Sequence, residues 1–292
     1  VETNLTERPT QSTSLTIALT AITLVAFASN SILCRLALAG GTIDPTGFTN
    51  LRIVSGAATL WIISTVLRRR SRPRGSWTSS SMLALYALGF SYAYVSLSAG
   101  TGALILMGAV QATMIIAGIR AGERLIPMQW MGLIVALGGT VYLVSPGVTS
   151  PPAVGSVFMV VAGIAWGVYS LRGRSSGDPI TATTDSFIRA VPIVLAVGLV
   201  QLGAIRWSTQ GVLLAVLSGS ITSGIGYVLW YAALRGLTAT RAASVQLAVP
   251  VITAIGGVVF LSEVITTRLV VASITVVGGV GFAVAGRFRR KR

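Results

Sequence analysis

Histidine is absent from the 292 residues, cysteine occurs once, and Asp and Glu together number seven. Without histidine there is no imidazole base, metal ligand or proton relay. The lone Cys34 excludes an intrachain disulfide. With so few acids, neither a nucleophile with its base nor a metal cluster can be assembled, which argues against a membrane-embedded enzyme acting on lipid or an isoprenoid carrier. No cofactor and no metal is expected. Charged residues make up only 10 % of the chain, against roughly a quarter in soluble domains.

What the chain has instead is apolar length. Hydrophobic residues make up 53 % of it, in runs of about 20, each long enough as a helix to cross a hydrocarbon core of about 30 Å. The spacing predicts ten spans, at 13–37, 46–67, 80–97, 100–119, 127–145, 152–172, 180–204, 210–234, 238–262 and 266–285. Ala26-Phe27-Ala28 in the first span looks like a signal-peptidase site, but this segment has a counterpart later in the chain and is read as a retained helix.

The net charge of +15 would suggest nucleic acid in a soluble protein, yet the basic residues lie between the spans. After even-numbered spans come Arg68, Arg69, Arg70, Arg72 and Arg74, then Arg120 and Arg124, Arg172 and Arg174, Arg235 and Arg241, and the tail Arg287, Arg289, Arg290, Lys291 and Arg292. After odd-numbered spans come only Arg206 and Arg268. That asymmetry predicts cytoplasmic termini and no nucleic-acid partner. The expected organisation is a tail over 1–12, two units over 13–145 and 152–285, and a basic tail over 286–292, acting as a monomer in the bilayer.

The two units are copies. GERLIPMQWMGLIVALGG at 122–139 returns as SEVITTRLVVASITVVGG at 262–279, so Glu123 matches Glu263 and Gly138-Gly139 matches Gly278-Gly279 at an offset of 140. Leu97, Ala99 and Thr113 match Leu237, Ala239 and Thr253 at the same offset. With small gaps, AFASNSILCR at 26–35 matches AWGVYSLRGR at 165–174, and TNLR at 49–52 matches SFIR at 186–189. An odd number of spans per copy makes the second copy enter the membrane from the opposite side, so the repeats are inverted, a construction of secondary transporters with the substrate site at midplane.

These residues resemble the drug/metabolite transporter superfamily, in its ten-span form with two EamA-type repeats. The resemblance is carried by LRIVSG at 51–56, IRAVP at 188–192, GERL at 122–125, LSEV at 261–264 and QLAVPV at 246–251. The first half departs, with Val110-Gln111 in place of Pro-Val and Phe27-Ala28 in place of Trp-Gly. The resemblance implies an all-α membrane protein of ten helices in two inverted five-helix repeats, in a bacterial inner membrane, exporting small metabolites. Its more specific likeness is to the aromatic amino-acid exporters of that superfamily, with a multidrug or quaternary-cation exporter as the alternative.

Polar residues inside spans are the candidates for transport, since each needs a partner or a cavity. Arg52 has no acid near it in the chain, whereas Arg189 follows Asp185 by four residues, the spacing of an intrahelical pair. For both arginines, structural pairing or snorkelling competes with a role in transport. Asn30 and Cys34 share a face of span one, with Ser170 on span six, and interhelical hydrogen bonding is an equal contender. Arg35 is expected at headgroup level.

Tyr86, Phe90 and Tyr94 form a stripe on span three, and Trp166 lies deep in span six. These are candidates to line a substrate cavity, with Gln111 and Gln246 supplying hydrogen bonds. Trp77, Trp130 and Trp207 read as interfacial belt residues. Glu123 and Glu263 sit at helix junctions, where capping or gating contacts with Arg124 and Arg268 are expected. A facilitator or exchanger is favoured over tight proton coupling, and an excess of intramembrane arginine favours amino acids over cations.

Overall fold

The computed structural model describes residues 12–67, 76–122, 126–147, 150–173, 178–201, 206–237 and 239–289. Ten spans are found among them. They are α1 (Thr13–Ala39), α2 (Pro45–Val66), α3 (Trp77–Tyr94), α4 (Ala99–Arg120), α5 (Pro127–Val144), α6 (Ala153–Gly173), α7 (Pro179–Val200), α8 (Thr209–Gly236), α9 (Ala239–Gln246 and Ala248–Leu261) and α10 (Thr267–Arg289).

Local chemistry starts these helices where the chain leaves the loops. Asp44 caps α2, its carboxylate accepting the Gly47 N–H at 2.8 Å, with Pro45 in the first turn. Asp178 with Pro179 opens α7, the equivalent helix of the second repeat, in the same way. Both prolines stand where a missing N–H costs nothing and the fixed φ suits the helix. Pro250 does the opposite inside α9, where no N–H is available for the Gln246 carbonyl, and the helix breaks at Leu247.

Six helices, α1 and α4 to α8, are long and apolar enough to cross a membrane by length and composition. Helices α2 and α3 are more polar, and they turn Thr49, Arg52, Ser80 and Ser91 inward. Large apolar side chains such as Ile17, Ile22, Trp61, Ile62, Ile134, Leu199 and Ile274 face outward along the bundle. Such a surface is far too apolar for water.

The packing obeys one exchange rule, in which each helix of the first five swaps with its counterpart five places on. Helix α3 packs on α6 as α8 packs on α1, α4 on α6 as α9 on α1, and α3 on α7 as α8 on α2. The pairs α2 with α7, α4 with α9 and α5 with α10 map onto themselves. The fold is two inverted five-helix repeats related by a two-fold.

The repeated glycine pairs are not equivalent within each pair. A Cβ on Gly279 would lie 2.6 Å from the Gly132 carbonyl oxygen and the Ala136 nitrogen, and one on Gly139 would collide with Thr275. Gly138 and Gly278 meet nothing within 4 Å. Only the second glycine of each pair makes the α5–α10 seam close. Gly122 is no packing residue, as it turns the chain after α4 at φ +85°. A Gly279→Val carrier is therefore expected to lose about 3 kcal/mol or more to overpacking, while Gly278→Val melts within a degree or two of wild type. Thermal melts of both variants in detergent check the contrast.

Candidate functional site

Arg52 lies in the middle of α2 and is 1 % exposed. Its Nη2 donates to the Tyr86 hydroxyl at 3.2 Å and its Nε to the Ser223 hydroxyl at 3.3 Å. The guanidinium carbon sits 5.1 Å from the Phe90 ring centroid and 5.3 Å from that of Tyr86, within cation–π range. Its Nη1 donates to nothing, and among the described residues it is the only charged group with a buried polar atom left unpartnered, the others being Asn50 Oδ1 and Thr253 Oγ1. No carboxylate pairs with it among the described residues.

Aromatic rings continue from this point. Tyr86 meets Trp166 at 4.8 Å, and Trp166 stacks on Tyr227 at 5.5 Å with 20° between planes. Tyr169, Phe187 and Phe27 pack around these two. Residues of α1, α2, α3, α6, α7 and α8 thus converge near the middle of the bundle.

The Ser223 hydroxyl is placed by a distortion of α8. From Ser218 to Ile225 the helix widens to π geometry, a form that is frequent at functional sites. This stretch is pressed onto α2 so closely that a Cβ on Gly219 would collide with the Arg52 carbonyl. The same turn satisfies Asn30, whose Oδ1 accepts from Ser218 Oγ at 2.7 Å and Thr222 Oγ1 at 3.2 Å.

The structure brings Tyr86, Phe90, Trp166 and Arg52 together and holds Asn30 against the π segment. Cys34 is fully buried on α1. Tyr94 meets Phe90 edge to face at 4.7 Å and donates to the Ala99 carbonyl at 3.2 Å, one step nearer the bundle end. Three candidates do not join the cluster. Gln111 Nε2 lies 3.9 Å from the Met107 sulfur, and Ser170 and Gln246 are half-buried with no polar contact to it. Missed altogether were Ser218, Thr222 and Ser223, although a small polar run, SGSITSG at 218–224, inside an apolar span was a visible signal.

The second arginine behaves differently. Arg189 pairs with Asp185 at 3.3 Å on α7, as the four-residue spacing predicts, and lies over the exposed Trp77 ring at 5.8 Å.

Glu263 ties three helices at the bundle end that carries few basic residues. Ser262 takes a left-handed conformation at φ +54°, and the Glu263 N–H returns to the Gly257 carbonyl at 3.1 Å. That turn aims the carboxylate at α4, where both its oxygens accept the Ala99 N–H, at 2.8 and 3.0 Å. Arg35 of α1 completes the site with Nε at 3.2 Å, its Nη1 donating to the Tyr94 and Val95 carbonyls. The partner is thus Arg35, which is not a headgroup anchor. Arg268, the expected partner, instead holds the Ser145 carbonyl and the Tyr142 ring. Glu123 and Arg124 lie outside the described residues.

Burial along α4 runs from tight to loose. Nine residues between Ala99 and Val110 are buried, and none from Gln111 to Arg120. The Glu263 end of α4 is closed while its basic end is loosely covered.

The EamA-like transporter family matches the chain twice, over residues 14–145 and 153–285. An uncharacterized protein of Pseudomonas aeruginosa is 45 % identical over 94 % of this chain and 96 % of its own. An uncharacterized transporter of Archaeoglobus fulgidus is 27 % identical over 86 % of this chain and 90 % of its own. The threonine/homoserine exporter RhtA of Escherichia coli is 26 % identical over 48 % of this chain and 49 % of its own. A crystal structure of a protein 22 % identical shares the fold, with a TM-score of 0.63 over 93 % of this chain and 98 % of its own.

Proposed function

The chain belongs to the EamA-like transporter family, and from that premise we propose that it exports small amphipathic metabolites, aromatic and neutral amino acids among them, from a bacterial cytoplasm. It is a multi-pass membrane transporter and not an enzyme. The single observation that carries the substrate reading is Arg52, a buried cation with an unpartnered Nη1 among Tyr86, Phe90 and Trp166. A guanidinium presents its donors in a fork that fits a carboxylate, and the neighbouring rings suit an apolar body. Arg52 argues against the quaternary-cation alternative by simple repulsion.

The mechanism is alternating access between the two repeats. The Glu263 contacts close the periplasmic end, the loosely covered half of α4 opens toward the cytoplasm, and both termini are cytoplasmic by the charge asymmetry of the loops. Cargo enters from the basic end, its carboxylate taking the unused Arg52 donor. The repeats then rock, the latch parts, and cargo leaves. The carrier acts as a monomer, since each chain holds both halves of the site.

Counterflow of radiolabelled phenylalanine and other amino acids into proteoliposomes, with and without an imposed pH gradient, tests the reading. Uptake above protein-free vesicles that ignores the gradient is the expected result. If no amino acid exchanges, the substrate assignment is wrong and cations or other metabolites take its place.

A further inference from the structure

The central cluster holds one positive charge and nothing among the described residues that balances it. The four described carboxylates are engaged elsewhere, Asp44 and Asp178 as helix caps, Asp185 with Arg189, and Glu263 with Arg35 and the Ala99 N–H. The groups that touch Arg52 are two hydroxyls and two rings.

A zwitterion entering this site meets an unequal reception. Its carboxylate finds the guanidinium, but its ammonium finds hydroxyls and ring faces only, with the Arg52 charge close by. The ring faces and hydroxyls offset part of the cost of desolvating that ammonium, but no acid among the described residues pairs with it, and the guanidinium repels it. An organic anion with the same aromatic body makes the favourable contacts and escapes that penalty.

We propose that the preferred cargo is an arylalkyl carboxylate without an ammonium group, and that the membrane potential alone drives its export. This rests on the reading of the Arg52 cluster as the cargo site. Each anion carries one negative charge outward, and an inside-negative potential then favours the outside by about fiftyfold per 100 mV. No coupling ion and no titrating residue is required. That suits a chain with no histidine whose described intramembrane carboxylate, Asp185, is ion-paired.

Three compounds that share one ring test the idea: phenylpyruvate, L-phenylalanine and phenethylamine. Each is supplied radiolabelled to proteoliposomes whose potential is clamped with potassium and valinomycin at pH 8, with protein-free vesicles subtracted. Initial rates give the preference, and steady-state distribution, which does not depend on the orientation of the protein, gives the charge moved. Phenylpyruvate is expected to move at least tenfold faster than phenylalanine, its distribution shifting tenfold for about each 59 mV imposed. Phenylalanine moving as fast or faster overturns the inference and leaves the amino-acid reading standing. So does phenylpyruvate movement that ignores the potential overturn the part on energy. Preference for phenethylamine, or movement of none of the three, overturns both.

Discussion

An Arg52→Gln carrier is expected to transport at least about thirtyfold more slowly at low substrate while folding as well as wild type, or better. The loss follows from removing a desolvated charge that meets the cargo carboxylate, an interaction worth about 2–5 kcal/mol, with about 1.4 kcal/mol per factor of ten. The stability follows from the opposite side of the same fact. Arg52 is buried with no counter-charge among the described residues, so its neutral replacement removes a desolvation cost without breaking an ion pair. Arg52→Lys keeps the charge but loses the fork and falls between the two. Thermal melts with and without cargo read both predictions. Wild type gains stability by mass action, about 2.7 kcal/mol at a hundred times Kd, and Arg52→Gln gains none. A variant that melts well below wild type while still transporting would make Arg52 a structural residue.

Glu263→Ala is expected to release the closed end of the bundle. Its carboxylate is the shared acceptor for α1 and the first turn of α4, and both side chains of the ion pair are partly shielded, at 20 % and 16 % exposure. Breaking a fully buried pair costs about 3–5 kcal/mol. Partial exposure reduces this, and a shift of about 1.4 kcal/mol toward the open form is a tenfold change in its population. The chain carries its own reporter, since its single cysteine, Cys34, is buried on α1 next to Arg35. Labelling by an impermeant maleimide added on the Glu263 side of the bundle should accelerate about tenfold in Glu263→Ala, and less in Glu263→Gln, which still accepts the Ala99 N–H. Unchanged labelling in both would show that the ion pair does not hold that end shut.

The ten spans and the repeat were legible because hydropathy and a shared offset are properties of the chain alone. Arg52 stood out for a related reason, having no acid within a helical turn to explain its presence in a span. Its isolation in three dimensions, however, depends on α3 and α8, which no local pattern fixes. The partner of Glu263 was misjudged because charge and loop proximity pointed to Arg268, whereas the left-handed turn at Ser262 swings the carboxylate toward α1. Gln111 and Gln246 were chosen for their chemistry, and neither reaches the cluster. In α8 the polar run at 218–224 was visible, but no hydropathy pattern announces a change of helical pitch, which is what turns Ser223 onto Arg52.

That change of pitch makes the two halves unequal where their likeness would matter most. Helix α8 carries the π segment and its repeat partner α3 does not, and Arg189, the counterpart of Arg52, is neutralised by Asp185. Were the halves identical, the inward-open and outward-open forms would superpose by a two-fold rotation, and the carrier would saturate at the same cargo concentration on either face. With the symmetry broken at the cargo itself, half-saturation must differ between the faces. Thermodynamics fixes the ratio of kcat/KM in the two directions but leaves the individual constants free. On the proposed mechanism the protein is a kinetic rectifier, able to load efficiently from one side and to refill poorly from the other, without any change in where equilibrium lies.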